Sequence, residues 1–320
     1  MISKQGKTYC PACGCLDLKC EKEYPGKSSA FADAKILECM QCEILFAHPI
    51  PRDEELAAYN LNYFQSAHGV NSEDRLNNPF FSGLAKIRFS QILSFLDKNN
   101  IVVKKIIEVG PGFGEMAALW LNRFPDIKYL GIETDKSCHE HLGGLGVSVI
   151  NNCAVHQGIA NVDLIIMSHV LEHIEDPLQY LSKISESLRE GGALFIEVPY
   201  RDFMYKKIVE PHLLFFNKVS LSKLLENVGF SVNEINYWGR DANSSQENFF
   251  FQKIQFFLGA LSKIGVAPLI KLLLSEPRIL DLPNERFAIL LFKPHIKSAL
   301  PAWWIRALAI KSRSMDKPRG

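Results

Sequence analysis

Several features are missing from this 320-residue chain, and each absence excludes something. No run of 18 apolar residues occurs, so a conventional membrane-spanning helix is not expected. The opening residues are polar and reach cysteine by position 10. No secretory leader is read there, and the expected compartment is the cytoplasm. An excess of one charge is also missing: 36 basic side chains face 35 acidic ones. Broad attraction to nucleic acid is therefore not expected. With 47% hydrophobic residues the chain can bury one large core and carry a small appendage.

Cysteine is present but unevenly placed. Six of the eight lie in the first 42 residues, at 10, 13, 15, 20, 39 and 42. Without a leader, paired thiols point to metal rather than to disulfides. Cys10-Pro-Ala-Cys13 and Cys39-Met-Gln-Cys42 are two C-x-x-C pairs separated by 25 residues. Thiolates two residues apart on a tight turn reach one ion, and two such turns complete a tetrahedron. A structural zinc on Cys10, Cys13, Cys39 and Cys42 is the reading, within a module of residues 1–50. Cys15 and Cys20 are alternative ligands or spare thiols. Residues 51–100 read as a helical bridge or lid, from apolar positions at helix spacing in Glu54–Tyr63 and Leu84–Leu96.

Beyond residue 100 short apolar strands alternate with helices. Strands are expected at 104–109, 128–133, 147–151, 162–167, 193–198, 232–238 and 286–292. Helices are expected at 114–123, 136–142, 176–188 and 218–227. That alternation predicts an α/β fold, a Rossmann-like, seven-stranded, mainly parallel sheet with flanking helices over 101–295. A helical insertion is expected at about 240–285, and Arg189-Glu190-Gly191-Gly192 reads as a turn before the fifth strand.

The richest stretch is Glu108-Val109-Gly110-Pro111-Gly112-Phe113-Gly114. Glycines let a chain leaving a strand turn sharply and approach a ligand. The dinucleotide spacing G-x-G-x-x-G is absent. Glu133 ends the second strand, where a carboxylate accepts ribose hydroxyl hydrogens. Together these favour an adenosine ligand without pyrophosphate. Glu108 is expected to orient the turn and receive the ligand's amino group, and Asn152 and Cys153 to meet the adenine edge.

At these residues the chain resembles class I S-adenosylmethionine-dependent methyltransferases. Gly131-Ile132-Glu133, Ser168-His169-Val170-Leu171-Glu172-His173-Ile174-Glu175-Asp176-Pro177 and Glu197-Val198-Pro199 extend the similarity. The resemblance implies that Gly110, Gly112 and Gly114 surround the methionine portion of the cofactor and Glu133 its ribose. Ser168 and His169 would pass beneath the sulfonium. Glu210-Pro211-His212-Leu213-Leu214-Phe215-Phe216 is similar to the branch acting on sugars, surface polysaccharides and secondary metabolites. The four-cysteine module fits that branch, whereas the long C-terminal domain of the full sugar C-methyltransferase arrangement is missing. The implied reaction is methylation of a hydroxyl on a nucleotide-linked or lipid-linked sugar. Carbon methylation, RNA or protein methylation and non-catalytic cofactor binding are the alternatives. An Asn-Pro-Pro-Tyr-like amine-binding tetrad is absent after the fourth strand.

For the acceptor's proton, His212 is the first candidate base, Glu210 its positioning partner and His169 the second candidate. Tyr200, Arg201 and Asp202 are candidate contacts to a polar substrate, and Glu172 and His173 read as local structure. Residues 296–320 read as a basic, aromatic extension around Trp303-Trp304. It packs on the insertion or lies on anionic lipid at the inner face of a membrane. The apolar stretch 249–274 is an alternative homodimer surface.

Overall fold

The structure is a computed structural model that describes residues 8–51, 54–56, 79–150, 159–242, 293 and 295–312. Expectations for 57–63, Asn152, Cys153, the insertion helix 249–274 and the strand 286–292 lie outside these residues.

The amino-terminal module contributes β1 (Leu18–Glu23), β2 (Lys35–Cys39) and β3 (Leu45–His48), successive antiparallel strands. A 20-residue helix, α1 (Pro79–Lys98), leads to the main sheet. There follow β4 (Lys105–Val109), α2 (Glu115–Arg123), β5 (Lys128–Ile132), α3 (His139–Gly144), β6 (Ser148–Ile150), β7 (Val162–Ser168), α4 (Pro177–Ser187) and β8 (Leu188–Pro199). Last come β9 (Leu214–Phe215), α5 (Lys218–Asn227), β10 (Phe230–Asp241), β11 (Lys297–Ser298) and β12 (Ala302–Lys311). α4 starts as its sequence demands: the Asp176 side chain accepts from Gln179 N, and Pro177 fills the first turn. α5 is opened by a reciprocal pair between Asn217 and Ser220.

The main sheet runs β11-β10-β12-β8-β7-β4-β5-β6. β6, β5, β4, β7 and β8 are parallel, and β12 inserts antiparallel between β8 and β10. The parallel α/β sheet read from the sequence is thus present. The Arg189–Gly192 turn is instead a bulge inside β8, since Val162 pairs with Leu188 but Leu164 with Ala193. Apolar residues fill both faces. Ile106, Leu164, Ile166, Phe195 and Leu308 meet Ile92 and Phe95 of α1 and Trp120 of α2. On the other face Ile107, Ile165, Leu194 and Ile196 pack with Leu181, Ile184, Leu221 and Leu224.

Ala302–Lys311 corrects one boundary. The expected surface extension is a central strand whose Ile305, Ala307 and Ala309 are buried and whose Arg306 is 3% exposed. Hydrogen-bonding strands flank it on both sides, so it is an interior strand of the sheet and not a separate extension. No helix among the described residues is long and apolar enough to cross one. The module is also not a loose appendage. β9, from the loop after β8, pairs with β3 through Leu45–Phe215 and Phe46–Leu214, and the module's apolar side joins the main core.

Candidate active site

Chain order reverses between β4 and β7, so their carboxyl ends bound the crevice where ligands bind such sheets. From β4 the chain turns through Gly110, Gly112 and Gly114, at φ of 67°, 58° and 81°. A Cβ on Gly110 would stand 2.7 Å from Val170 Cγ2, and one on Gly114 2.8 Å from Leu145 Cδ1. Backbone angle and space both require glycine at these two positions. At the end of β5, Glu133 accepts hydrogen bonds from Gly112 N and Asp135 N, each at 2.9 Å. The carboxylate therefore ties the glycine turn to β5. With the Thr134 N–H as a third donor, about one of its roughly four lone-pair sites remains for another donor. Burial raises its pKa, while the N–H groups of Asp135, Gly112 and Thr134 pull it down. Glu108 is buried and accepts from the Tyr129 hydroxyl at 2.7 Å. Burial, the largest cause, pushes Glu108 up to about 7.

Three neighbouring strands present polar residues in register: Ser168 on β7, Glu197 on β8 and Arg306 on β12. All three stand on the α1 side, one step beyond the apolar Ile166, Phe195 and Leu308. Ser168 Oγ is buried without a hydrogen-bond partner. Glu197 is fully buried and is gripped by Arg88 of α1 and Arg306, with His169 Nε2 at 3.0 Å. Burial alone would raise its pKa, but the two guanidinium groups and His169 hold it well below the usual range. Arg306 also donates to Gln91 Oε1 at 2.9 Å and lies over the Trp238 ring at 4.9 Å.

His169 itself has φ of 57°, and its Nδ1 faces Glu172 Oε1 at 3.3 Å. Burial disfavours its charge, yet the two carboxylates win and raise its pKa. An imidazole held between two carboxylates is a poor free base. His212 faces another acid. Its Nδ1 lies 3.0 Å from Oδ2 of Asp202, whose second partner is Lys206 Nζ at 2.8 Å. Burial works against the Asp202 charge, but His212 and Lys206 beside it hold its carboxyl far below the ordinary value.

The placement differs from expectation at Glu210. It does not pair with His212 among the hydrogen bonds of the described residues. Its Oε1 accepts from Lys27 N at 2.6 Å, Ser28 N at 2.8 Å and Ser28 Oγ at 3.1 Å. The cause is the module, whose 27–28 turn presents donors where the sequence suggested open loop. Arg201 likewise turns to the module, bonding Glu38 Oε1 and Glu43 O. Sequence reasoning missed the Arg88–Glu197–Arg306 cluster and the partnership of Asp202 with His212. The one available signal was Glu197, an acid inside an otherwise apolar strand.

At the module's tip, Cys10, Cys13, Cys39 and Cys42 converge. Cys10 and Cys42 sulfurs are 3.5 Å apart, and those of Cys13 and Cys39 are 3.6 Å apart. A tetrahedral ion with metal–sulfur bonds of about 2.3 Å sets sulfurs about 3.8 Å apart, so the four thiols fit one ion. The residue after each pair, Gly14 at φ 75° and Glu43 at φ 63°, adopts the same left-handed turn. The hydrogen bond from Cys10 draws Cys42 down to about 5. Cys15 accepts from Asp17 N and Cys20 lies exposed, so neither belongs to the cluster.

Residues 84–235 match the family model described as a methyltransferase domain. That segment, just under half of the chain, holds the glycine turn and the parallel strands β4 to β8. Among individual relatives, the chain is 28% identical over 100 residues to the trans-aconitate 2-methyltransferase of Deinococcus radiodurans, covering 30% of this chain and 38% of that one. It is 32% identical over 79 residues to a probable S-adenosylmethionine-dependent methyltransferase of Mycolicibacterium smegmatis, covering 23% and 31%. The matches therefore span about a third of these relatives' lengths. In fold it is similar to a plantazolicin methyltransferase solved with a triazolic analogue and S-adenosylhomocysteine. That likeness has a TM-score of 0.50, 15% identity and coverage of 81% and 97%.

Proposed function

We propose that this protein transfers a methyl group from S-adenosylmethionine to a small molecule, and that the acceptor atom is a hydroxyl oxygen of a sugar or glycan-biosynthesis intermediate. The observation that carries the reading is the glycine turn fastened to Glu133, whose carboxylate keeps room to accept from a ribose hydroxyl. S-adenosylmethionine supplies an electrophilic methyl; the acceptor oxygen forms the new C–O bond as the C–S bond breaks, leaving S-adenosylhomocysteine and a proton. Gly110, Gly112 and Gly114 cradle the methionine portion, with Ser168 and His169 beneath it. Asn152 and Cys153 meet the adenine. The proton is lost on the acceptor side, where the Glu172–His173 turn meets the loop carrying Asp202 and His212. Zinc on the four cysteines holds the module, whose β3 in turn holds that loop through β9.

The direct test incubates the protein with S-adenosylmethionine and a panel of sugar nucleotides, following release of S-adenosylhomocysteine. Turnover with one of them is expected; cofactor binding without turnover on any hydroxyl acceptor would overturn the reading. One observation favours a second acceptor class. Arg88 Nε and Arg306 Nη2 are buried without hydrogen-bond partners, and two guanidiniums face one Glu197. That excess of positive charge suits a carboxylate, and one relative is named for trans-aconitate. Di- and tricarboxylates therefore belong in the same panel.

A further inference from the structure

We propose that Glu172, His173 and His212 form a second divalent-cation site, separate from the four cysteines and suited to manganese or zinc. One donor atom from each of the three lies within 4.8 Å of the other two. The His173 and His212 rings meet edge to face with centroids 4.8 Å apart. Glu172 is 1% exposed, and its Oε2 is buried with no hydrogen-bond partner. A carboxylate oxygen kept from water without a donor is costly, and a cation is the species that relieves it.

The outer contacts follow the pattern of metal ligands. Each ligand has one atom engaged by an orienting neighbour. His169 Nδ1 sits on Glu172 Oε1 at 3.3 Å, and Asp202 Oδ2 on His212 Nδ1 at 3.0 Å. His173 is engaged by the main chain at Pro211. The two segments are fastened independently of any ion. Leu213 N donates to Glu172 O at 2.7 Å, His212 N to Val209 O at 2.8 Å, and the Tyr24 hydroxyl to His212 O at 2.9 Å.

Two imidazoles and a carboxylate suit manganese, iron(II) or zinc, whereas four thiolates select zinc. Three protein ligands also leave a coordination position open, as in catalytic rather than structural sites. With the cation in place His212 serves as a ligand, not as a free base.

The experiment uses the full chain carrying one equivalent of zinc, which the four thiolates take first, so that manganese reports the other site. Manganese(II) is titrated in and the free ion counted by electron paramagnetic resonance. One bound manganese per chain is expected. His173→Asn and Glu172→Gln should each weaken it at least tenfold, and Asp202→Asn, which disturbs only the orienting partner, about 10-fold. Binding of S-adenosylhomocysteine, followed by calorimetry, checks that each variant is folded and keeps this result separate from the methyl-transfer reading. Absence of a manganese site tighter than about 1 mM in the wild-type chain, or equal affinity in folded His173→Asn and Glu172→Gln, would overturn the proposal.

Discussion

Replacing Glu108 by glutamine should change how stability depends on pH. Glu108 lies buried under the glycine turn with the Tyr129 hydroxyl as its donor, and burial lifts its pKa to about 7. In the unfolded chain a glutamate titrates near 4.3. Because the folded value is the higher one, the folded state keeps a proton that the unfolded state has already lost. Stability is full below the unfolded value and declines as pH rises through the folded value. Each unit of difference is worth about 1.4 kcal/mol, so raising pH from 5 to 8 should cost roughly 2–3 kcal/mol through this one group. Glutamine keeps an acceptor for Tyr129 and has no proton to lose. Its buried amide carries a pH-independent penalty of about 1–3 kcal/mol, which cancels when the two pH values are compared. The assay is urea unfolding of both proteins at pH 5 and pH 8. Any protonation of the four-cysteine cluster at acid pH affects both chains alike and also cancels. The wild-type protein should lose about 2–3 kcal/mol more than Glu108→Gln over that interval; parallel pH profiles would refute the assignment of a buried, proton-holding Glu108.

Three further outcomes follow from the geometry. Glu133→Gln preserves an acceptor for Gly112 or Asp135 but removes the charge, so affinity for S-adenosylhomocysteine should fall about 10–100-fold by calorimetry; a change under threefold would place the ribose elsewhere. Gly110→Ala meets both a φ of 67° and Val170 Cγ2 at 2.7 Å, so it should cost about 1–2 kcal/mol in unfolding experiments and weaken cofactor binding. Cys39→Ser should lower the zinc content of the purified protein and speed proteolysis near 209–216, because β9 loses a rigid β3; unchanged metal content would show that the four thiols do not share one ion.

Much of the parallel sheet was legible because its signals are local. Ile106-Ile107, Leu164-Ile165-Ile166 and Phe195-Ile196 are apolar on both faces, as strands covered by helices must be. Gly110 and Gly114 announce backbone angles that other residues avoid, and two C-x-x-C pairs announce the cluster of four thiols. The edge of the sheet was harder. Ala302–Lys311 carries Trp303, Trp304 and Arg306, so its charge and aromatics read as surface. It is buried because Glu197 supplies the partner charge from 109 residues away.

The sequence by itself determined the alternation of strand and helix, the glycine turn, the acid at the end of β5 and the four thiols, since each depends on residues close together in the chain. Only the tertiary structure decided what the charged side chains do. Glu210 turned to Lys27 and Ser28 instead of His212, Asp202 became the partner of His212, and Arg88 and Arg306 closed on Glu197. A charge takes its role from whichever opposite charge or hydrogen-bond donor folding brings within about 3 Å, and that neighbour is set by how distant elements pack.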